Sequence, residues 1–408
     1  MKKTIIICAC LALVAGVHAQ NGIEAILQQV EANNKELQAN ARTTEAQKLE
    51  NRASNNLADP TLSYAHLWDS QDKNITVGEL VIAQSFDFPS LYVSRARLNR
   101  LKASSLDAQA NAQRQTILLQ AQEACLDIIH LSRQQQLLDE RLKNAEELAA
   151  YYRRRLETGD ASTLETNKIN LELLNVRTEA RMNRTALDSK LKELTALNGN
   201  VSLVPGRPMP DGPAAATAQN LGLTNYPSVP LPADFGPLCE ELLASDPALL
   251  SLRQESQAAQ KQLSVSRQGW LPGLELGYRR NTESRHPLNG LVVGFSFPIF
   301  QNHGKVKAAR SQALSADFRE ENARLSASTA LWQLYDEACN LHASMQEYAE
   351  TFGRQQDLKL LRQALDGGQI SMIEYFVEVS VIYQSQANLL QLENQYQKVM
   401  ARIYKSRL

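Results

Sequence analysis

Phe86-Asp87-Phe88-Pro89 recurs 209 residues later as Phe295-Ser296-Phe297-Pro298, and this repetition decides how the chain is read. At the same offset, Leu156, Gly159, Ser162 and Glu165 return as Leu365, Gly368, Ser371 and Glu374. Upstream the offset becomes 212, where Leu37, Ala46, Pro60 and Leu62 match Leu249, Ala258, Pro272 and Leu274. The three-residue change falls between Leu62 and Phe86, where a surface loop can absorb it. Several motifs in one order and nearly one register indicate a duplicated unit rather than a chance match.

Outward from the repeated motif, each copy alternates two periodicities. Before it lie two short extended segments, Thr61 to Trp68 and Ile75 to Phe88 in the first copy, Leu274 to Arg280 and Leu291 to Phe297 in the second. Turn candidates at Asp69 to Asn74 and Asn281 to Asn289 separate them, and the alternation in Leu62-Ser63-Tyr64-Ala65-His66 is that of a strand. Each copy thus offers one hairpin, and a run of ~9–11 tilted residues suffices to cross a bilayer as a strand. An ordinary soluble hairpin has the same pattern.

After the motif each copy predicts a long helix, from Pro89 to Gly159 and from Pro298 to Gly368, with no proline after the first residue. Ile117, Ala124, Leu131, Leu138, Ala145 and Tyr152 are spaced by seven; Ala121, Ile128, Leu142, Ala149 and Leu156 form the companion seam, with Gln135 as the exception. In the second copy Leu331, Ala338, Met345 and Phe352 run beside Leu334, Leu341 and Tyr348. A 70-residue helix at ~1.5 Å per residue would reach about 100 Å, too long for one globular core, so an extended shaft is expected. Shorter helices are expected to open each copy, at about Gly22 to Asn56 and Phe235 to Gln268. Others return from the turns at Gly159 and Gly368, to Gly199 and Leu408. Laid end to end, an opening and a returning helix match the long one and supply its antiparallel partner.

The N-terminus reads as a secretory signal over residues 1–19: Lys2 and Lys3, an apolar run from Thr4 to Val14, then Val17-His18-Ala19 before Gln20. A lipoprotein acylated at Cys8 or Cys10 is the competing reading. The remaining domains are a first repeat over 20–198, a Pro/Gly-rich linker over 199–237 and a second repeat over 238–408. Pro205, Pro208, Pro210, Pro213, Pro227, Pro230 and Pro232 make that linker a crossover rather than a helix. Without Lys2 and Lys3 the chain holds 41 basic and 44 acidic residues, a net charge of −3, which argues against a nucleic-acid partner. Cys125, Cys239 and Cys339 are too few and scattered for a disulfide framework and read as single buried cysteines. No other stretch is apolar enough for a transmembrane helix, so a membrane form would have to be a β-barrel. His66, His130, His286, His303 and His342 lack metal-ligand spacing, and no nucleophile or phosphate-loop motif is present. No metal, cofactor or enzymatic activity is therefore expected.

On these features the chain resembles the TolC-like outer membrane efflux proteins over essentially the whole mature length. The features that carry the resemblance are the two Phe-x-Phe-Pro exits and the basic residues beyond them (Arg95 and Arg97, Lys305 and Lys307). With them go the turns at Gly159 and Gly368, each followed by Ser and then Leu164-Glu165 or Ile373-Glu374. The resemblance implies a mainly α fold with β, in which long coiled-coil helices and a hairpin form a duplicated unit. It also implies a homotrimer that shares an α-barrel and a twelve-stranded transmembrane β-barrel. It further implies an outer-membrane location with a helical shaft in the periplasm. The implied partners are outer-membrane lipid, a periplasmic adaptor and an inner-membrane transporter, the chain serving as their passive exit duct for small molecules or metal cations. A protein-secretion duct on the same fold is an alternative; a non-conducting periplasmic coiled-coil scaffold is another.

By the same resemblance Glu165, Glu374 and Glu378 are candidates for a periplasmic gate, with tip turns at Gly159 and Gly368. Repeated by three-fold symmetry the acids would form negative rings that favour cations. The alternative is that they are solvated acids at helix N-termini. The sequence departs from the family's gate chemistry at Val377, where a second acid is usual, and at Leu365 and Ile370, which replace polar lock residues. Arg95, Arg97, Lys305 and Lys307 read either as ordinary helix starts or as head-group or pore-lining residues.

Overall fold

The computed structural model describes residues 22–68, 70, 76–159, 162–203, 218–282, 286–352 and 357–408. The expected signal segment, the linker prolines Pro205 to Pro213 and most of the turn Asp69 to Asn74 lie outside these. The first copy comprises α1 (Gly22–Asn33), α2 (Lys35–Ala53), β1 (Thr61–Trp68), β2 (Thr76–Phe86), α3 (Pro89–Glu157) and α4 (Thr163–Leu197). The second repeats the order as α5 (Phe235–Ser245), α6 (Pro247–Gln268), β3 (Gly273–Thr282), β4 (Pro287–Ser296), α7 (Lys305–Phe352), α8 (Asp357–Asp366) and α9 (Met372–Ile403), closed by a 3-10 turn.

Three expectations change. Each opening helix is broken once, at Asn34 and at Asp246, positions 212 apart and so equivalent in the repeat. Pro247 cannot donate a backbone hydrogen bond, so α5 ends before it. Asp246 caps α6 by accepting from the Ala248 N–H at 2.7 Å. At Asn34 the side-chain amide donates to the Leu197 carbonyl at the end of α4, at 2.8 Å. The second long helix does not begin at Pro298: α7 starts at Lys305, after Gly304 takes φ +80, and residues 353–356, between Phe352 of α7 and Asp357 of α8, lie outside the described residues. Finally, the turn expected over Asn281 to Asn289 is narrower, because Asn281 and Thr282 belong to β3 and Pro287 to Asn289 to β4.

Two compact units divide the chain. One contains Lys35–Leu119, Leu231–Asn340 and Val399–Leu408; the other Met1–Asn34, Gln120–Pro230 and Leu341–Lys398. The first holds the sheet, in order β1-β2-β3-β4 and antiparallel throughout, so the hairpins of the two copies join through β2 and β3. That junction is tight: a Cβ on Gly277 would come within 2.8 Å of the Ile82 carbonyl oxygen. Beside the sheet, Leu91 and Leu98 of α3 pack on Ala258 and Val265 of α6. Elsewhere in this unit Phe235 stacks on Tyr335 with ring centres 4.3 Å apart.

In the second unit the heptad seam of α3 does what its spacing predicts. Ala121, Ala124, Ile128, Leu138, Ala145, Ala149 and Tyr152 are buried, while Leu131, Gln135 and Leu142 are half-buried and Leu156 is exposed. Gln135 accepts from the buried Asn183 of α4 at 3.0 Å, a polar exception with a partner. The corresponding positions of α7 are mostly half-buried, with only Ala338 fully covered. Of the cysteines, Cys125 and Cys239 are buried as expected and Cys339 is half-buried. Burial alone pushes the Cys125 thiol up to about 12, so it is an inert packing group.

The described part of the linker is strapped to these helices. Tyr396 donates to the Val229 carbonyl at 3.0 Å, Leu223 is buried, and Arg133 lies 4.8 Å from the Tyr226 ring centre while pairing with Glu393 at 2.9 Å. Next to this strap Asp127 bridges Lys398 at 2.5 Å and Lys190 at 3.4 Å and accepts from Asn394 at 3.0 Å. Burial on its own would raise the Asp127 pKa. The hydrogen bonds from Lys398 and Asn394 and the two lysine charges outweigh it and hold the carboxyl below its usual range. Its folded value therefore lies below the unfolded one. The stabilisation is full above the unfolded value of ~3.9 and is lost as pH falls through the depressed folded value. Asp127→Asn should flatten this acid limb. In chemical denaturation at successive pH values, the gap between wild type and variant should be widest near neutrality and shrink below about pH 4.

Candidate functional site

Two places carry the sequence-derived candidates: the sheet, and the turns at Gly159 and Gly368. Residues paired directly across an antiparallel ladder point to the same side, so the register sorts the sheet into two faces. On one face lie Leu62, Tyr64 and Trp68 of β1, then Leu80 and Ile82 of β2. Leu274, Leu276 and Tyr278 of β3 and Leu291, Val293 and Phe295 of β4 complete it. On the other lie Ser63, Ala65, Glu79, Ser85, Glu275, Arg279, Asn281, Gly290 and Gly294, with Arg279 and Glu79 paired at 2.6 Å. The apolar face is the open one. Leu62, Tyr64, Trp68, Val293 and Phe295 are exposed on it, and Leu291 is 86 % exposed; the opposite face exposes Leu67 and Leu288. A sheet in water hides its apolar face; this one displays it, with Arg280 at the hairpin end the one charge on it among the described residues, and keeps Glu79, Glu275 and Arg279 on the opposite side.

The edges matter equally. β1 and β4 each pair on one side only, leaving two rows of backbone groups free for another chain. Among the described residues no helix is long and apolar enough to cross a membrane.

The turns are built by one local device used twice. At the end of α8, Gln369 N–H donates to the Ala364 carbonyl at 2.8 Å and Gly368 N–H to the Leu365 carbonyl at 3.0 Å. This is a Schellman stop that requires the left-handed φ of +68 at Gly368. Gly159 takes φ +80 at the end of α3 and donates to Leu156 in the same way. Each stop is followed by a capping box. Ser162 Oγ accepts from Glu165 N–H at 3.2 Å, and Glu165 accepts from Ser162 N–H at 2.9 Å. Ser371 and Glu374 repeat this at 3.3 and 2.8 Å. Both candidate gate acids are thus engaged by backbone N–H groups. The Ser371 backbone and hydroxyl hold the Glu374 carboxyl below the usual carboxylate range. The Ser-x-x-Glu spacing was the available signal for this role, and a reading of the acids as gate residues passes over it.

Glu378 does not join Glu374 at the cap. It is exposed and borders a cleft with Tyr348, Phe352, Leu361 and Ile382. Leu365 is buried with Leu148, Tyr152, Ile169, Met372, Tyr375, Val379 and Tyr383, and Ile370 packs against that cluster. The positions where a lock would sit are therefore core here. Of the basic candidates, Arg95 pairs with Asp87 at 2.6 Å, while Lys305 and Lys307 are exposed at the start of α7. No cluster of three metal-ligating side chains exists among the described residues. Burial lowers the pKa of His130, whose Nδ1 lies 3.2 Å from the Leu390 carbonyl oxygen, so that imidazole is a neutral packing group.

The whole arrangement matches solved structures. A membrane protein from Pseudomonas aeruginosa superposes with a TM-score of 0.76 at 14% identity, over 95% of this chain and 93% of that one. The outer membrane protein VceC of Vibrio cholerae gives 0.74 at 13% identity, over 94% and 95%. The MtrE outer membrane channel of Neisseria gonorrhoeae, in its open state, gives 0.74 at 14%, over 95% and 88%. Comparison with curated protein sequences gives no significant match. At these identities the likeness is one of fold. The family described as outer membrane efflux protein matches residues 238–406 directly. The second repeat of the chain thus matches the outer membrane efflux protein family, on a fold shared end to end with solved outer-membrane channels.

Proposed function

We propose that the chain is one subunit of an outer-membrane exit duct for a tripartite efflux system, passing small molecules or metal cations out of the periplasm. The observation that carries this reading is the inverted sheet: an open apolar face, a polar reverse side, and two unpaired edges. Four strands cannot close a barrel, and an open edge is not tolerated in lipid. Three chains, β4 of one beside β1 of the next, would give a closed twelve-stranded wall. Its outside would be the apolar face and its lumen the face holding Glu79 and Arg279. The helices would then stand on the periplasmic side, where an adaptor and an inner-membrane transporter would meet them. Names of similar structures, such as the Campylobacter jejuni CmeC outer membrane channel, support the conduit reading. The purified protein should run as a trimer and carry current in a planar bilayer. A monomer without conductance sinks the proposal.

Within that reading Glu165, Glu374 and Glu378 remain the gate acids, with Gly159 and Gly368 at the tip. Glu374 is ionised at neutral pH, so three copies would present a fixed negative ring. Glu374→Gln should lower cation preference and blocking by multivalent cations in single-channel recordings. Because it is fully exposed and Gln can still cap, the helix should remain intact by circular dichroism. Unchanged selectivity and block would reduce Glu374 to a capping residue alone.

A further inference from the structure

Phe300 and Leu91 occupy the same position of the repeat, 209 residues apart, yet their surroundings are opposite. Leu91 is 6% exposed within the cluster of Leu98, Ala258 and Val265, whereas Phe300 is 90% exposed. The backbone makes the difference. After Phe88 the first copy enters α3 at once, with Asp87 paired to Arg95. After Phe297 the second copy spends residues 298–304 outside any helix. Ile299 N–H donates to the Phe297 carbonyl at 2.9 Å around Pro298, and Gly304 turns the chain with φ +80 before α7.

This loop is pinned. Asn302 is buried, its side-chain amide donates to the Gly269 carbonyl just beyond α6, and Lys305 N–H closes onto the Asn302 carbonyl at 3.2 Å. The pin leaves Phe297, Ile299 and Phe300 outside, and Trp270, next to Gly269, is exposed as well. Phe297 continues the alternation that places Phe295 on the apolar face, so the loop departs from the edge of that face. Beyond it, from Phe297 to Ala316, the chain carries Lys305, Lys307 and Arg310 and no acid, and all three cations are exposed. Aromatic side chains at the end of an apolar band, followed by cations, are the composition of a segment lying at a bilayer's head-group level. The rings fit the acyl boundary and the cations face lipid phosphates.

We infer that this loop is a membrane anchor particular to the second copy. Phe297, Ile299, Phe300 and Trp270 seat in the head-group region of the leaflet nearest the helices, and Lys305, Lys307 and Arg310 hold anionic phospholipid. The inference rests on the sheet being a barrel wall, and its test separates the two. Trp68, Trp270 and Trp332 are the chain's three tryptophans, so single-indole proteins can be made by changing the others to Phe. One keeps Trp68 on the apolar face of β1; the other carries only the indole introduced by Phe300→Trp. Both full-length proteins are reconstituted in vesicles of phosphatidylethanolamine and phosphatidylglycerol containing doxyl lipids labelled near the head group or near the chain end. The anchor predicts blue-shifted emission from position 300, quenched more by the shallow label than by the deep one. If Trp68 is quenched and position 300 is not, the anchor is overturned and the barrel stands. A blue shift without lipid quenching shows that another copy covers the ring, which also overturns the anchor. Failure of both indoles to be quenched removes the barrel reading and the anchor with it.

Discussion

Leu291→Arg, at the middle of β4 on the open apolar face, is expected to cost about 2–4 kcal/mol per chain once the sheet is in a bilayer. Leu291 pairs with Tyr278 and is 86% exposed, so in water the change removes almost no packing. A surface substitution of that kind is ordinarily worth within about 0.5 kcal/mol. The cost comes from moving a guanidinium into hydrocarbon, and with three chains per barrel it would be incurred three times. The neighbouring change Val292→Ser, on the polar reverse face, should be tolerated. Denaturant unfolding from lipid vesicles, with the yield of assembled trimer, measures both. Equal behaviour of the two variants would contradict the assignment of faces.

Ile169→Ala carries the second large effect, here in the helices. Ile169 is fully buried on α4 and packs with Leu148 and Tyr152 of α3 and with Met372 and Tyr375 of α9. Truncation removes three buried carbons and leaves a cavity that rigid helices cannot collapse into. The expected loss is about 2–5 kcal/mol. Leu171 lies two residues further along α4 and is exposed. The parallel Leu171→Ala should shift stability by no more than about 0.5 kcal/mol. Thermal and denaturant melts followed by helical circular dichroism compare the two directly.

Much of this was legible because it is local or periodic. The duplication needs only string matching, and the strands of the first hairpin lie inside the extended segments read from the sequence, Thr61–Trp68 over its whole length and Thr76–Phe86 within Ile75 to Phe88. The seam of α3 follows its heptads because a helix face is set by spacing alone. The stops at Gly159 and Gly368 were legible as turns for the same reason. Their capping boxes could also have been read from Ser162, Glu165, Ser371 and Glu374. Family likeness points to those acids as gate residues, while their bonds to the helix backbone accord with the alternative reading of acids at helix N-termini. The start of the second long helix was misplaced because the motif Phe-x-Phe-Pro is identical in both copies. What separates them is Gly304 and the Asn302 amide on Gly269, a contact across 33 residues.

By itself, then, the sequence determined the kind and order of the elements: two copies, each a strand hairpin between helices, each turned at a glycine followed by a serine. These follow from backbone hydrogen bonds closed within about six residues and from the fixed periods of helix and strand. The tertiary structure alone decided how the copies join, through β2 and β3, and that the apolar side of the joined sheet is the open one. It also decided that Leu91 is core while its repeat partner Phe300 is surface, and that Asp127 is shared between two lysines. These depend on which distant elements meet, and periodicity carries no information about a partner. The duplicated unit is written in the chain; the open apolar surface exists only once the two hairpins are paired.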